Sequence, residues 1–211
     1  MKKNSKNFID RSHANKSNVK PSIEDAQKAV KTLIAWAGDD PNREGLLETP
    51  KRVVNAYLDF FYGYNEDHRK VLGKTFDDVQ GYDDIVLIKN IRMESHCEHH
   101  MVPFIGIAHV AYIPDRNVVG ISKIARLVDI FAKRLQTQET LTMQIANAID
   151  EVLKPRGVAV LIDAKHQCMT TRGIHKQDAS TVTMSILGEF KNDPILEDRF
   201  LNMIKIKSQE C

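Results

Sequence analysis

Apolar residues recur at helical spacing in the first part of the chain. Between residues 23 and 37 they stand three or four positions apart, and Ser22 precedes them as a candidate N-cap. A second helix is predicted to begin at Thr49-Pro50, an N-cap followed by proline at the first helical position, and to end at Gly63. The pattern therefore predicts an N-terminal helical pair.

From residue 85 onward the pattern is that of a β-sheet interrupted by helices. Strands are predicted over 85–91, 104–113, 158–164 and 181–190. Between the second and third strands, one helix is predicted from an N-cap at Ser122 to Leu135, and another from Leu141 to Val152. A short helix over 194–204 closes the chain. The order β-β-α-α-β-β predicts an α+β fold.

Composition divides the chain into three predicted parts. Residues 1–20 carry six Lys/Arg against one Asp and are rich in Asn and Ser, so we expect a disordered basic tail. Residues 21–64 form the helical region, and residues 65–211 form the domain that contains the sheet. The whole chain has a net charge of only +2, and since the tail has six positive residues against one negative, the rest of the chain is net negative. The body is therefore not a basic platform for nucleic acid, and no nucleic-acid partner is expected.

Cysteine content and hydropathy indicate the compartment. The first twenty residues hold no apolar run of the kind found in a signal peptide, and no stretch approaches the roughly 20 apolar residues that span a bilayer. Three cysteines are too few for a disulfide framework and are typical of a reducing compartment. We expect a cytoplasmic protein with no membrane partner.

The densest group of candidate functional residues is the segment ESHCEHH at 94–100. Within it, Cys97 and His100 stand three positions apart and can bind one metal ion, and the segment 166–168 (HQC) is the obvious source of further ligands. No CxxC pair is present, so a four-cysteine site is excluded. A site with two cysteines and one histidine leaves a position for water, whose pKa zinc lowers to about 7. The alternatives are a structural zinc site completed by a residue such as His99, or a polar loop that faces solvent.

Two histidines, His99 and His166, stand beside these candidate ligands in the sequence. Imidazole titrates near neutral pH and can both take and give protons. Both histidines are therefore candidate proton carriers, and the alternative is that each is a hydrogen-bonded core residue.

A third group predicts an anion site. Lys123 and Arg126 follow Ser122 in the first turn of a predicted helix, where acidic residues are usual and where free N–H groups bind anions. Such cations at a helix start suggest a phosphate partner, and Arg172 and Arg52 are further candidates. A solvated basic surface is the alternative.

The pair Gln138-Glu139 lies at the junction of the two middle helices. A carboxylate such as that of Glu139 can accept two adjacent N–H groups, as guanine presents them in its ring N–H and exocyclic amine. Taken alone, such a pair on a helix is usually surface decoration.

Together these segments resemble the GTP cyclohydrolase I family, from about residue 22 to residue 190. The match is specific because a CEHH segment occurs together with HxCM and GxSK. The segments that carry it are Thr49–Val53, Glu94–Gly106, Val119–Arg126, Gln138-Glu139 with Leu141-Thr142, and His166–Gly173.

The resemblance implies a role for each candidate residue. It implies zinc as the cofactor, proton transfer near the reacting ring, and binding of guanine, ribose and triphosphate. The zinc ligands are Cys97, His100 and Cys168, the proton carriers are His99 and His166, the guanine ligands are Gln138 and Glu139, and the ribose and triphosphate ligands are Ser122, Lys123, Arg126, Arg172 and Arg52.

The resemblance also implies the tunnelling fold, with an antiparallel β-β-α-α-β-β core. It implies a toroidal homodecamer whose sheets form a barrel and whose active sites lie between subunits. Two departures are visible: Thr140 stands where many relatives have arginine, and the segment His175–Ser180 is variable in the family. Neither touches an assigned residue, so they bear on regulation more than on activity.

The implied reaction hydrolyses the guanine imidazole ring of GTP, releases formate and forms 7,8-dihydroneopterin triphosphate. Two other hypotheses remain open at this point. One is a binding module with structural zinc and a nucleotide or RNA partner, suggested by the basic tail and by Lys123 and Arg126. The other is a zinc hydrolase that stops at the formamide or at the opened pyrimidine.

Overall fold

The structure is a computed structural model that describes residues 20–73, 75–76, 82–116 and 118–207, and it divides into two compact units. The first unit ends at Asp59 and the second begins at Phe60. The predicted basic tail lies outside the described residues apart from Lys20. The predicted division of the chain between residues 64 and 65 stays a prediction.

The first unit contains the predicted helical pair. Helix α1 covers Ile23–Trp36, a short 3-10 turn covers Glu44–Leu46, and helix α2 covers Thr49–Phe60. The side chain of Ser22 accepts a hydrogen bond from the main-chain N–H of Asp25 at 3.0 Å, so the predicted N-cap of α1 is confirmed.

The second unit combines a sheet with two long helices and several short elements. The helical elements are a 3-10 turn at Tyr62–Asn65, α3 His68–Leu72, α4 Ile121–Ala132, α5 Gln138–Leu153, α6 Gln167–Thr170, α7 Glu189–Asn192 and α8 Pro194–Lys205. The strands are β1 Thr75–Phe76, β2 Val86–Cys97, β3 Pro103–Ile113, β4 Val118–Val119, β5 Leu135–Gln136, β6 Gly157–His166 and β7 Thr181–Gly188. Over the described ranges of the chain, none of the helices has the length and apolar content that a bilayer crossing requires.

The main sheet has five strands in the order β5-β2-β3-β6-β7. The pairs β2–β3, β3–β6 and β6–β7 are antiparallel, while the short β5 runs parallel to the end of β2. Strands β1 and β4 form a separate antiparallel pair. The predicted α+β class and the β-β-α-α-β-β order are therefore confirmed, and this is the core arrangement implied for a tunnelling fold.

The two faces of the sheet are covered differently. Helices α4 and α5 pack on one face and bury a large apolar core there, which includes Phe104, Val110 and Tyr112 of β3. On the other face, a smaller core forms around Ala111 and Ile113 under α7 and α8. Neighbouring residues of β3 thus point to opposite cores, as the alternation of a strand requires.

An irregularity in β2 changes which of its residues face α4 and α5. The β2–β3 register shifts between Ile88 and Ile91, and Asn90 has a positive φ of 60°. Before this bulge, even-numbered residues such as Ile88 pack on the larger core; after it, odd-numbered residues such as Met93 and Cys97 do. One extra residue in a strand reverses the facing of everything beyond it. The bulge therefore turns Cys97 toward the side of the sheet that the helices cover.

Three predicted boundaries are wrong. Strand β2 continues six residues beyond residue 91, because the polar segment up to His96 still pairs with β3 and Cys97 pairs with β5. The N-cap of α4 is Gly120, with no side-chain cap bond, so Ser122 lies inside the first turn. Leu135 belongs to β5 and not to α4, since the chain leaves the helix at Lys133 to pair with β2.

The predicted helix end at Gly63 and the predicted strand end at residue 190 also move. Helix α2 stops at Phe60, and Gly63 instead packs against the end of α4, where a Cβ atom would come within 2.1 Å of the carbonyl oxygen of Ile130. Strand β7 ends at Gly188, whose φ of 59° turns the chain into α7.

Candidate functional site

The direction of the strands brings the candidate ligands to one end of the sheet. Strands β2 and β6 both run antiparallel to β3, so their C-terminal ends lie together. The register places His96 opposite Pro103 and His166 opposite Phe104. Cys97 follows His96 directly, so the ESHCEHH segment meets the segment after β6 although about 70 residues separate them in sequence.

Cys97, His100 and Cys168 form a group that could hold a metal ion. Their ligand atoms all lie within 4.8 Å of one another, and Cys97 Sγ is 3.9 Å from Nδ1 of His100. Two ligands at a Zn–S distance of about 2.3 Å from one ion are at most about 4.6 Å apart, so small movements would suffice for coordination. Two thiolates and one imidazole are donors that suit zinc, and the three residues fit a zinc ion.

A strand end, a tight turn and a short helix position the three candidate metal ligands. Cys97 is 5% exposed at the end of β2, and a tight turn follows in which the N–H of Met101 donates to the carbonyl oxygen of Cys97 at 2.8 Å. Met101 has a φ of 55°, which lets the chain reverse into β3. His100 lies exposed in this turn, and Cys168 lies half-buried in α6.

The surroundings of Cys168 disfavour its thiolate form. Burial raises the pKa of the Cys168 thiol, and the nearby Cys97 raises this pKa further. Both cysteines are free of disulfide bonds. A divalent cation offsets these two effects, since it stabilises the thiolate form of its ligands.

The two candidate proton carriers lie beside this group in different environments. His99 is exposed, with Nδ1 at 3.7 Å from Cys97 Sγ. His166 is half-buried, and burial lowers its pKa, while the charge of Glu139 has the opposite effect. The third histidine of the segment, His96, is buried, and its ring lies with its centroid 4.6 Å from that of Phe60 and 5.2 Å from that of Phe61.

These residues line one pocket with a volume of about 190 Å³. Glu139 is exposed at its wall and Gln138 borders it, although Gln138 is only 1% exposed. Seven of the predicted site residues line this pocket. They are Cys97, His99, His100, Gln138, Glu139, His166 and Cys168.

Two of the predicted phosphate ligands line a different pocket. Ser122 and Arg126 border a cavity of about 520 Å³ on α4, together with Tyr62 and Asp129. Burial raises the pKa of Asp129. No residue borders both this cavity and the pocket that holds the candidate metal ligands. Within one chain, the structure therefore keeps the predicted anion site apart from the predicted metal site.

The remaining predicted phosphate ligands lie outside both pockets. Lys123 is half-buried on α4 next to Ser122. Arg172 is exposed just after α6, where its charge acts on Cys168. Arg52 is exposed on α2 in the first unit.

Sequence reasoning missed the residues that hold His166. Phe104 stacks on its ring, with centroids 4.5 Å apart and an angle of 6° between the planes. Thr142 and Thr183 belong to a buried hydrogen-bond network around Gln138. A correct register for β3 and β6 would have revealed Phe104, and the i, i+4 spacing would have pointed from Gln138 to Thr142. For Thr183 the sequence offered no signal.

A family model and the relatives that are similar in sequence agree on one family. A family model described as GTP cyclohydrolase I matches residues 26–205. A GTP cyclohydrolase 1 of Maricaulis maris (strain MCS10) is 64% identical over 188 residues, which cover 89% of this chain and 92% of the relative. Relatives with the same description in Hyphomonas neptunium (strain ATCC 15444) and Pelagibacter ubique (strain HTCC1062) are 63% and 60% identical and cover 87% and 88% of this chain and 89% and 92% of their own lengths.

Proposed function

The chain belongs to the GTP cyclohydrolase I family, and we propose that it opens the guanine ring of GTP in the pocket bordered by Cys97, His100 and Cys168. The overall reaction converts GTP and water to formate and 7,8-dihydroneopterin triphosphate. The observation that carries the proposal is that seven predicted site residues, distant in sequence, line one pocket.

We assign zinc as the cofactor and Cys97, His100 and Cys168 as its ligands. Held by these three residues, a zinc ion would supply Lewis-acid chemistry and would lower the pKa of bound water toward neutral. The chain contributes the ligand set and its rigidity, since Cys97 is fixed by β2 and Cys168 by α6 at the end of β6.

His99 and His166 carry protons in this proposal. Ring opening and loss of formate require protons to be taken up and returned near the imidazole carbon of guanine, and a side chain poised near neutral pH serves both directions. The lowered pKa of His166 keeps its ring neutral and able to accept a proton. His99, exposed beside Cys97, is placed to exchange protons with solvent.

Glu139 orients the base. Its exposed carboxylate at the pocket wall can accept the ring N–H and the exocyclic amine of guanine together. This bidentate contact holds the imidazole carbon of guanine toward the metal ligands, and orientation of this kind lowers the barrier by positioning alone.

The triphosphate and ribose bind to Ser122, Lys123 and Arg126, with Arg172 and Arg52 as further ligands. We call the pocket bordered by Cys97, His100 and Cys168 the metal pocket. Because the cavity on α4 shares no residue with it, we propose that α4 of one chain completes the metal pocket of another. This supports a homo-oligomer with active sites between subunits, and the family resemblance implies a toroidal decamer. The free thiols suit the reducing cytoplasm, where we place the reaction.

Turnover of GTP by the purified, zinc-loaded full chain tests the proposal. Formate release and a pterin that fluoresces after oxidation are the expected results, and the product mass identifies 7,8-dihydroneopterin triphosphate. Absence of turnover in an assembled, zinc-loaded sample would refute the proposal. A product that retains the formyl group, or an opened pyrimidine, would favour a reaction that stops earlier.

A further inference from the structure

Gln138 lies at the first position of α5, with its side chain amide buried among oxygen atoms. Its nitrogen Nε2 donates to the carbonyl oxygens of Ile162 at 3.1 Å and Thr181 at 2.8 Å, and to the hydroxyl of Thr183 at 3.2 Å. Carbonyl oxygens only accept hydrogen bonds, so the amide can sit in one orientation alone. In that orientation, Oε1 of Gln138 faces Nε2 of His166 at 2.8 Å.

This contact decides where the proton on His166 resides. The amide oxygen only accepts, so Nε2 of His166 must donate and therefore carries a hydrogen. A neutral imidazole has one N–H, which leaves the lone pair on Nδ1. We propose that Gln138 is a positioning residue that fixes His166 as the Nε2–H tautomer, so that its Nδ1 exchanges protons with the substrate.

Two contacts hold the ring of His166 in place. Phe104, which is fully buried, stacks on the His166 ring with an angle of 6° between the planes, and this sets the plane of the imidazole. The hydrogen bond to Gln138 selects between the two flipped orientations of the ring that share this plane, since the other orientation would present a C–H to the amide oxygen. Ring plane and ring flip are thus held by different residues.

The buried threonines complete the network around the amide. The hydroxyl of Thr142 donates to the main-chain oxygen of Gln138 at 2.7 Å, and the hydroxyls of Thr142 and Thr183 lie 2.6 Å apart. The hydroxyl hydrogen of Thr142 is donated to the main-chain oxygen of Gln138. The hydroxyl of Thr183 therefore donates to the hydroxyl of Thr142 and accepts from the side-chain amide of Gln138. Nε2 of Gln138 has two hydrogens for three acceptor oxygens, so these acceptors share them, while the hydroxyl hydrogens of Thr183 and Thr142 each have one acceptor. A network satisfied in this way resists rearrangement.

The role differs from the guanine contact that the family resemblance implied for Gln138. Its amide oxygen and nitrogen are both engaged within the chain, and the side chain is 1% exposed. The catalytic part of this inference rests on the proposed function, whereas the tautomer does not.

The tautomer is measured directly in the wild-type protein. Nitrogen NMR of histidine-labelled, zinc-loaded full chain, recorded above the ordinary histidine pKa of about 6.5, distinguishes a protonated from an unprotonated ring nitrogen. A His166→Asn variant assigns the signals. A hydrogen on Nε2 of His166 is the expected result, and a hydrogen on Nδ1 overturns the proposal even if the enzyme turns over GTP.

A matched pair of variants separates positioning from general damage. Gln138→Met removes the acceptor at similar volume, and Gln144→Met makes the same change at another buried glutamine of α5, one that accepts a hydrogen bond from Gln136 at 2.8 Å. For Gln138→Met we expect mixed tautomers at His166 and a loss in kcat of about 10²-fold, with KM for GTP changed far less. Gln144→Met should keep the tautomer and lose little kcat.

Two outcomes of this pair would overturn the proposal. A rise in KM for GTP with unchanged kcat in Gln138→Met would make Gln138 a substrate ligand. Equal losses of kcat in both variants, with the tautomer unchanged, would make Gln138 a structural residue. If Gln138→Met does not fold, the wild-type spectrum still decides, and a wild-type protein without turnover would refute the proposed function while leaving the tautomer measurable.

Discussion

The two pockets of the second unit are built in opposite ways. The metal pocket lies at the ends of strands, and its side chains are fixed by register, by the bulge at Asn90 and by the buried amide of Gln138. The cavity on α4 is lined by exposed residues such as Ser122 and Arg126, and it is the larger of the two, at about 520 Å³ against about 190 Å³.

This difference separates two tasks of the proposed reaction. Bond-making steps need groups held in place before the substrate arrives, because errors of position are costly in rate. Binding of a flexible triphosphate needs charge and space, and a second chain can supply part of both. We infer that the chemistry is prepared within one chain and that the anchor for the triphosphate is completed by assembly.

The largest expected effect comes from the metal pocket. Cys168→Ser removes one of the two proposed sulfur ligands, so we expect loss of bound zinc and loss of GTP turnover. Metal content by elemental analysis and formate release measure the two losses. Cys211→Ser, at a cysteine with no assigned role, is the control and should keep both. Full activity of Cys168→Ser without zinc would remove the ligand assignment.

Next in size is a change in the cavity on α4. Arg126→Ala removes a charge-assisted contact to the triphosphate, which is worth about 1.5–3 kcal/mol, so KM for GTP should rise about tenfold or more while zinc content stays unchanged. Steady-state kinetics with GTP measures this rise. Arg92→Ala, at an exposed arginine of β2 paired with Glu94, is the control. An unchanged KM in Arg126→Ala would place the triphosphate elsewhere.

A mixture of the two damaged chains tests whether the pockets combine between subunits. If α4 of one chain completes the metal pocket of another, co-assembled Cys168→Ser and Arg126→Ala chains form roughly a quarter of their sites with both parts intact. Activity at GTP concentrations below KM should then recover to roughly that fraction of the wild type. A mixture no more active than the sum of its parts would show that each site draws both residues from the same chain.

The smallest expected effect concerns the sheet that carries the metal pocket. Burial lowers the pKa of His109, whose Nδ1 accepts a hydrogen bond from the N–H of Asn90. The folded state therefore binds this proton less readily than the unfolded state, and stability is lost as the pH falls below the ordinary value of about 6.5. His109→Asn should flatten the dependence of the unfolding free energy on pH between about 7 and 5. Denaturant titrations at several pH values measure it, and an unchanged slope would contradict the assignment.

Much of the fold could be predicted because hydrophobic periodicity is a local signal. The N-cap at Ser22 and the order β-β-α-α-β-β follow from spacing that the sequence displays directly. The continuation of β2 to Cys97 could not be predicted this way, because a polar segment continues the strand only through its partners β3 and β5. The predicted N-cap at Ser122 is wrong because α4 begins at Ile121 without any side-chain cap, so the usual sequence signal for a helix start is missing.

The candidate site likewise has parts that local sequence predicts and parts that depend on which strands are neighbours. The ligand types and their clusters are visible in the sequence, and the family resemblance supplied the pairing of the two segments. The burial of Gln138 and the stack of Phe104 on His166 depend on which strands are neighbours, which is a property of the whole sheet. The family resemblance assigns Gln138 to the substrate, and this role stays a prediction, while the amide oxygen of Gln138 lies against His166 in the structure.

The bulge at Asn90 also limits how the chain can change in length. Within β2, deleting or inserting a single residue between Asn90 and Cys97 would interchange the two faces of the strand, so that the sulfur of Cys97 would leave the helix-covered side. A change of two residues would leave each side chain on the same side of the sheet and would change only how far β2 extends. The distance from the bulge to Cys97 is thus constrained by parity, and we expect length variation in related chains to avoid this stretch and to fall in exposed segments such as 172–180.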